Sequence, residues 1–130
     1  MPPATVLPGW LNDALQGLLA GDVDAYLKIY APDAVHEFPV TREGGPRRLH
    51  GRDEIAAYMS QISGRLRFGT LAGIKAREAD DEIIIEADGH HQRIEQGVEV
   101  PFDVRYIWFI TVRGGQVTHF TDYTLPGQPA

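Results

Sequence analysis

The chain has no cysteine. That excludes disulfide cross-links, thiol nucleophiles and cysteine metal ligands. No apolar run approaches the ~20 residues a membrane-spanning helix needs. The opening MPPATVLPGW has no basic segment leading into an apolar one, so it does not read as a secretory signal. Positive charge is also scarce: 12 Lys and Arg face 18 Asp and Glu, for a net charge of −6. That balance is poorly matched to the phosphates of nucleic acid. No nucleophile-elbow serine, phosphate-binding loop or dinucleotide glycine signature is present. The GGPRR stretch lacks the strand before and helix after that a phosphate loop requires. His90 and His91 are strand neighbours and point to opposite faces, so they cannot chelate one ion, and no helical His-x-x-x-His pair exists. The expectation is a protein that works without metal, cofactor, nucleic acid or membrane. Missing cysteine is compatible with a cytoplasmic location.

What is present fits one domain. A chain of 130 residues with 43% apolar content can bury roughly two-thirds of its unfolded surface, enough for a core around a pocket. The whole of 1–130 reads as a single unit with its core at about 10–126 and frayed ends at MPPAT and PGQPA. WLNDALQGLLAGD repeats leucine at helical spacing and stops at Gly21. Asp22 caps a second helix, VDAYLKIYA, ended by Pro32. AVHEFPV is a short strand that Pro39 pushes toward a sheet edge or a bulge, TREGGPRRLHG a polar loop, and RDEIAAYMSQIS a third helix stopped by Gly64. Four long β-like stretches follow, RLRFGTLAGIKAREA, EIIIEADGHHQRI, VEVPFDVRYIWFITV and QVTHFTDYTL, with turns at ADDE, EQG and RGG. Helices first and antiparallel strands later predict an α+β fold. It takes the form of a cone in which three N-terminal helices pack on one face of a strongly curved, mostly antiparallel sheet and enclose a pocket.

The stretches GDVDAYLKIYAPDAVHEFPV, HGRDEIAAYM and YIWFITVRGGQVTHFTDYTLP resemble the nuclear transport factor 2-like superfamily. They are closest to its SnoaL-like polyketide cyclase and ketosteroid isomerase-related members. The resemblance runs from about Leu11 to Pro126. It implies the cone fold, a small apolar ligand, no cofactor and a homodimer whose outer sheet face carries Trp108 or Tyr106. It does not imply steroid isomerisation. The positions of that reaction's base, oxyanion tyrosine and protonated aspartate hold Phe38, Ala14 and a residue near Ile107. An epoxide-hydrolase branch fits in part: Asp122 and Asp88 match its two aspartates, but Glu86 falls where the bridging arginine belongs. His36 and Phe38 fall where that branch holds its water.

An ionised carboxylate facing a core costs several kcal/mol unless it is paired, so Asp122 in HFTDYTLP is the leading candidate. Alternation puts Thr118, Phe120, Asp122 and Thr124 on one face, and His36 with Phe38 on one face of the first strand. In an apolar pocket a carboxyl poised nearer neutrality both takes and returns protons. Asp88 and His36 are its candidate helpers. Phe38, Tyr26, Tyr30, Tyr58, Met59, Phe120 and His90 are candidate substrate contacts. Each has a plain alternative: Asp122 paired with arginine, Asp88 in a turn at ADGHH, His36 and the tyrosines in the core. The arginines at 42, 47, 48 and 52 could grip an anion or line a solvated loop. The expected activity is cofactor-free cyclisation, isomerisation or dehydration of an apolar carbonyl or hydroxyl compound. The alternatives are a non-catalytic binding or association module and an epoxide hydrolase-like enzyme.

Overall fold

The structure is a computed structural model and describes residues 7–41 and 44–128. Arg42 and the MPPAT stretch lie outside those residues. Helix α1, Gly9–Leu19, buries Leu11, Ala14, Leu15 and Leu18 along one stripe. The chain then reverses at Gly21, whose φ of 91° suits a residue without Cβ. The Asp22 carboxylate accepts from the Ala25 amide at 3.1 Å and caps α2, Val23–Leu27.

The second helix is shorter than its periodicity predicts. It ends at Leu27, and β1 already begins at Tyr30 and runs to Glu37. A ladder formed far away in sequence overrides local propensity here. The Val117 amide donates to the Ile29 carbonyl at 2.8 Å, and Tyr30 pairs with Val117. The polar loop contains a short strand, β2 (Arg48–His50), paired with the end of β1. Helix α3 spans Arg52–Ser63, the limits predicted, and buries Ile55 and Met59. Arg52 at its start donates to the Tyr30 carbonyl through Nε at 3.1 Å and also through Nη2.

Four long strands complete the fold: β3 (Leu66–Ala79), β4 (Glu82–Glu95), β5 (Val98–Arg113) and β6 (Gln116–Pro126). The β5–β6 turn carries positive φ at both Gly114 and Gly115, and the β4–β5 turn at both Gln96 and Gly97, the backbone that tight two-residue hairpins need. Asp88 and Gly89 lie inside β4, so ADGHH is not a turn.

The sheet order is β2-β1-β6-β5-β4-β3. Only β1 with β6 is parallel; the other four pairings are antiparallel. Register shifts within the β3–β4 ladder bend the sheet. The helices pack on its concave face, which is the α+β architecture expected. One inner row, Ile83–Ile110–Phe120, and the next, Ile85–Trp108–Asp122, follow from the register. Ile85, Ile110, Val117 and Phe120 close against Leu11, Leu15 and Leu18. Each such side chain stabilises the fold by about 1.5–3 kcal/mol. The same strands continue outward to inner side chains that keep partial exposure, among them Tyr106 and Thr124.

Candidate functional site

Asp122 faces inward, and His36 meets it. The His36 Nε2 atom lies 3.0 Å from one carboxylate oxygen of Asp122. The other oxygen accepts from the Trp108 indole N–H at 3.0 Å and from the Thr124 hydroxyl at 2.9 Å. Behind His36 the row continues: Tyr30 Oη to His36 Nδ1 at 3.0 Å, then Tyr26 Oη to Tyr30 Oη at 2.6 Å. His36 stacks on Phe120 with centroids 4.4 Å apart and planes 11° apart, and Phe38 flanks it at 4.7 Å. The imidazole therefore has no freedom to swing away.

This row has a direction. With the His36 proton on Nε2, Tyr26 donates to Tyr30, Tyr30 donates to Nδ1, and Nε2–H donates to Asp122. With the proton on Nδ1, every one of these bonds reverses, and the Asp122 oxygen becomes the donor. A proton gained at Asp122 is thus matched by the opposite His36 tautomer and rotation of two hydroxyls, with each bond of the row kept in the reversed sense. Burial pushes the pKa values of both tyrosines well above the ordinary phenol value, and the Asp122 charge adds to this. They remain phenols and can relay a proton without ionising. Tyr30 is fully buried and His36 is 5% exposed, so Asp122 is the member of the row able to meet a ligand.

The remaining candidates are sorted by strand alternation. Asp88 and His90 lie on the opposite face of β4 from the core, because Ile83, Ile85, Ala87, Gly89 and His91 take the inner positions. Asp88 is ion-paired with Arg105 at 3.1 Å, and Arg105 also reaches Glu86 at 2.8 Å. His90 pairs with Asp103 at 2.8 Å. This corrects two expectations: Asp88 cannot share a reaction with Asp122, and His90 does not line the inner face. A two-aspartate epoxide site has no geometric basis, since the sheet separates the carboxylates. Trp108 and Tyr106 also face inward, not toward an outer interface; Ile107 and Phe109 alternate with them there. Met59 and Phe120 are enclosed in the core with Tyr26 and Tyr30. Phe38 and Tyr58, 5.3 Å apart, are the expected contacts that keep partial exposure. Arg52 is committed to the Tyr30 carbonyl, while Arg47 and Arg48 are exposed on the surface.

A second polar pair on the inner face has no counterpart among the sequence candidates. His91 Nε2 lies 2.9 Å from the Tyr106 hydroxyl, and the Gly69 amide donates to His91 Nδ1 at 3.0 Å. Gly89 lies between their side chains: a Cβ there would stand 2.6 Å from His91 Nε2 and 2.6 Å from the Tyr106 ring. A glycine inside a strand is the signal that pointed here, since it marks close approach by another group. Burial pushes the Tyr106 pKa up, and the Asp122, Tyr26 and Tyr58 side chains reinforce it. Tyr106 packs on Trp108 with ring centroids 4.8 Å apart, and Trp108 in turn holds Asp122, so the two polar groups are neighbours on the inner face. A surface cleft of about 380 Å³ lies elsewhere, lined by Trp10, Glu78, Asp80, Asp81 and Val112 among others, and shares no residue with this site. Among the described residues no group of side chains is arranged to hold a metal ion, and no helix is long and apolar enough to cross a membrane.

Residues 11–120 match the family described as the SnoaL-like domain, and the chain belongs to that family. YesE, an uncharacterized protein of Bacillus subtilis (strain 168), is 30% identical over 113 residues, covering 84% of this chain and 74% of YesE. A proposed isomerase from Bacillus subtilis has the same fold, with a TM-score of 0.78, 24% identity, and 88% and 86% of the two chains covered. A proposed polyketide cyclase from Xanthomonas campestris superposes with a TM-score of 0.72 at 24% identity, over 88% of this chain and 87% of that one. A protein of ketosteroid isomerase-like fold from Catenulispora acidiphila, solved with trimethylamine, gives a TM-score of 0.71 at 20% identity, over 91% of this chain and 86% of that one.

Proposed function

We propose that this SnoaL-like protein binds a small, largely apolar carbonyl or hydroxyl compound and moves a proton on it with Asp122. The reaction class is cofactor-free cyclisation, isomerisation or dehydration. The observation that carries this reading is the row Tyr26–Tyr30–His36–Asp122, because it ends at a half-buried carboxylate and reverses as a unit. Asp122 takes a proton from a carbon beside a carbonyl and returns it elsewhere on the same molecule. His36 holds the carboxylate in place and follows its protonation. Trp108 and Thr124 fix the second oxygen, so the carboxylate is oriented before the ligand arrives. Phe38, Tyr58 and Tyr106, which keep partial exposure, supply apolar surface suited to a flat or hydrocarbon-rich molecule.

The proposed cyclase and isomerase among the similar structures support the class without fixing the substrate. The alternative is a ligand-binding module that has kept the cone. It is favoured by Ala14 and Phe38 at the positions where steroid isomerases carry chemistry. Exchange of α-protons of simple aryl ketones in deuterium oxide tests the choice. Wild-type protein accelerates exchange, and Asp122→Asn loses that acceleration by roughly a hundredfold or more. Exchange at the solvent rate with both proteins would favour the binding module.

A further inference from the structure

We infer that the Tyr106 hydroxyl is a dedicated hydrogen-bond donor to a ligand carbonyl oxygen, held in that role by His91 and the Gly69 amide. The reasoning follows the direction of each bond. A backbone N–H only donates, so the Gly69 amide at 3.0 Å obliges His91 Nδ1 to accept. The neutral ring then carries its proton on Nε2 and donates to the Tyr106 oxygen at 2.9 Å. Tyr106 has accepted one bond and still holds its own proton, which is left for a third group. Protonation of His91 would set an N–H against the Gly69 N–H, and burial already pushes its pKa down to about 4.

Both relays donate toward the site but end differently: the Asp122 row ends on a carboxylate that only accepts, and this one on a hydroxyl that still donates. One presents a donor and the other a base, and they are neighbours on the inner face: Tyr106 packs on Trp108 with centroids 4.8 Å apart, and the Trp108 indole N–H donates to Asp122 at 3.0 Å. A carbonyl compound needs both: a donor where negative charge grows on oxygen, and a base at the neighbouring carbon. The substrate class narrows accordingly to a ketone, aldehyde or ester with an acidic α-proton. In the step, the α C–H bond breaks, the proton passes to the Asp122 carboxylate, and the electron pair moves onto the carbonyl oxygen as an enolate held by Tyr106. The proton then returns to carbon. His91 is a positioning residue: it meets no ligand and acts through Tyr106. Gly89 is its structural condition, because any Cβ would push the two side chains apart.

This inference rests on the Asp122 reading for its chemistry, and two independent signals separate them. The probe is acetophenone labelled with ¹³C at the carbonyl. Its carbonyl resonance reports hydrogen-bond donation, and its methyl exchange in deuterium oxide reports proton transfer. Bound to wild type, the carbonyl signal moves downfield. Tyr106→Phe loses most of that shift and slows exchange about tenfold to a hundredfold. Asp122→Asn keeps the shift and loses the exchange. His91→Leu reduces the shift, while His91→Gln, which retains a donor, restores part of it. These two carry the test if Tyr106→Phe does not fold. A shift unchanged in Tyr106→Phe overturns the donor role even where Asp122 proves to be the base. A shift lost in Tyr106→Phe without any wild-type exchange upholds the donor and sinks the base. Failure of acetophenone to bind, or ¹⁵N shifts showing the His91 proton on Nδ1, also overturns the inference.

Discussion

His36 and Asp122 stand 86 residues apart in the chain and meet at 3.0 Å. They meet because β1 lies parallel beside β6, with His36 opposite Phe120 and Asp122 one pleat further along the same face. The contact is thus set by backbone pairing on rigid strands, not by a loop. Its energetics are testable apart from any reaction.

Removing either partner should not cost the same. Asp122→Asn lets the buried row keep its bonds by reversing, so a loss of about 1–2 kcal/mol is expected. His36→Phe strands both the Asp122 oxygen and the Tyr30 hydroxyl, and should cost roughly 2–4 kcal/mol. Urea midpoints at pH 7 check the order. Equal losses would contradict a reversible row.

Gly89→Ala should be costly for its size. The added Cβ would stand 2.6 Å from two side chains and 3.0 Å from the Val104 Cγ2 atom, so a loss of about 2–3 kcal/mol is expected from overpacking. Gly9→Ala, with nothing within 4 Å, should change thermal stability little. A near-neutral Gly89→Ala would mean that His91 and Tyr106 are not held as described.

His91 makes stability depend on pH. Its folded-state pKa is pushed down from 6.5 to about 4 by burial first, then by the neighbouring His90 charge, against an opposing pull from Asp103. Between those values the unfolded chain binds a proton that the folded chain refuses, so stability is fully present above pH 6.5 and declines as pH falls toward 4. The contribution is on the order of 2 kcal/mol. Denaturation curves at pH 7.5, 6, 5 and 4 should therefore converge for wild type and His91→Gln as the medium becomes acidic. Curves that stay parallel would exclude His91 as a source of the slope.

Asp88→Asn should leave α-proton exchange unchanged and lower stability by under about 1 kcal/mol. Its Arg105 partner is shared with Glu86 on a solvent-facing surface, where ion pairs contribute little. Loss of exchange on this substitution would return Asp88 to the site.

The boundaries of α3, the four long strands and all three turns were legible because periodicity and turn chemistry are local. Asp122 and His36 were each legible as unusual residues on apolar strands. Their meeting was not, since nothing local announces a parallel pairing between the first and last strands. The face of Asp88 was ambiguous for another reason. Ile83, Ile84 and Ile85 in succession fit either side of a strand, and the inner row continues through Ala87 and Gly89, whose small size hides their burial. His91 enters the sequence reading only as a rejected metal partner of His90, because the alternation that turns Asp88 and His90 inward turns His91 outward. Tyr30 fits the helical stripe of α2 in the sequence because its link to Val117 is non-local.

The order of strands across the sheet has one further consequence. β6 is last in the chain, yet it lies between the β1–β2 pair and the β3–β5 meander. Until it inserts, those two parts share no interstrand bonds. Assembly must then end with a single long-range docking event, a slow one by its loop-closure entropy. A nascent chain whose β6 is still inside the ribosome would expose two open strand edges at once, and this is the interval in which it would be most prone to aggregate.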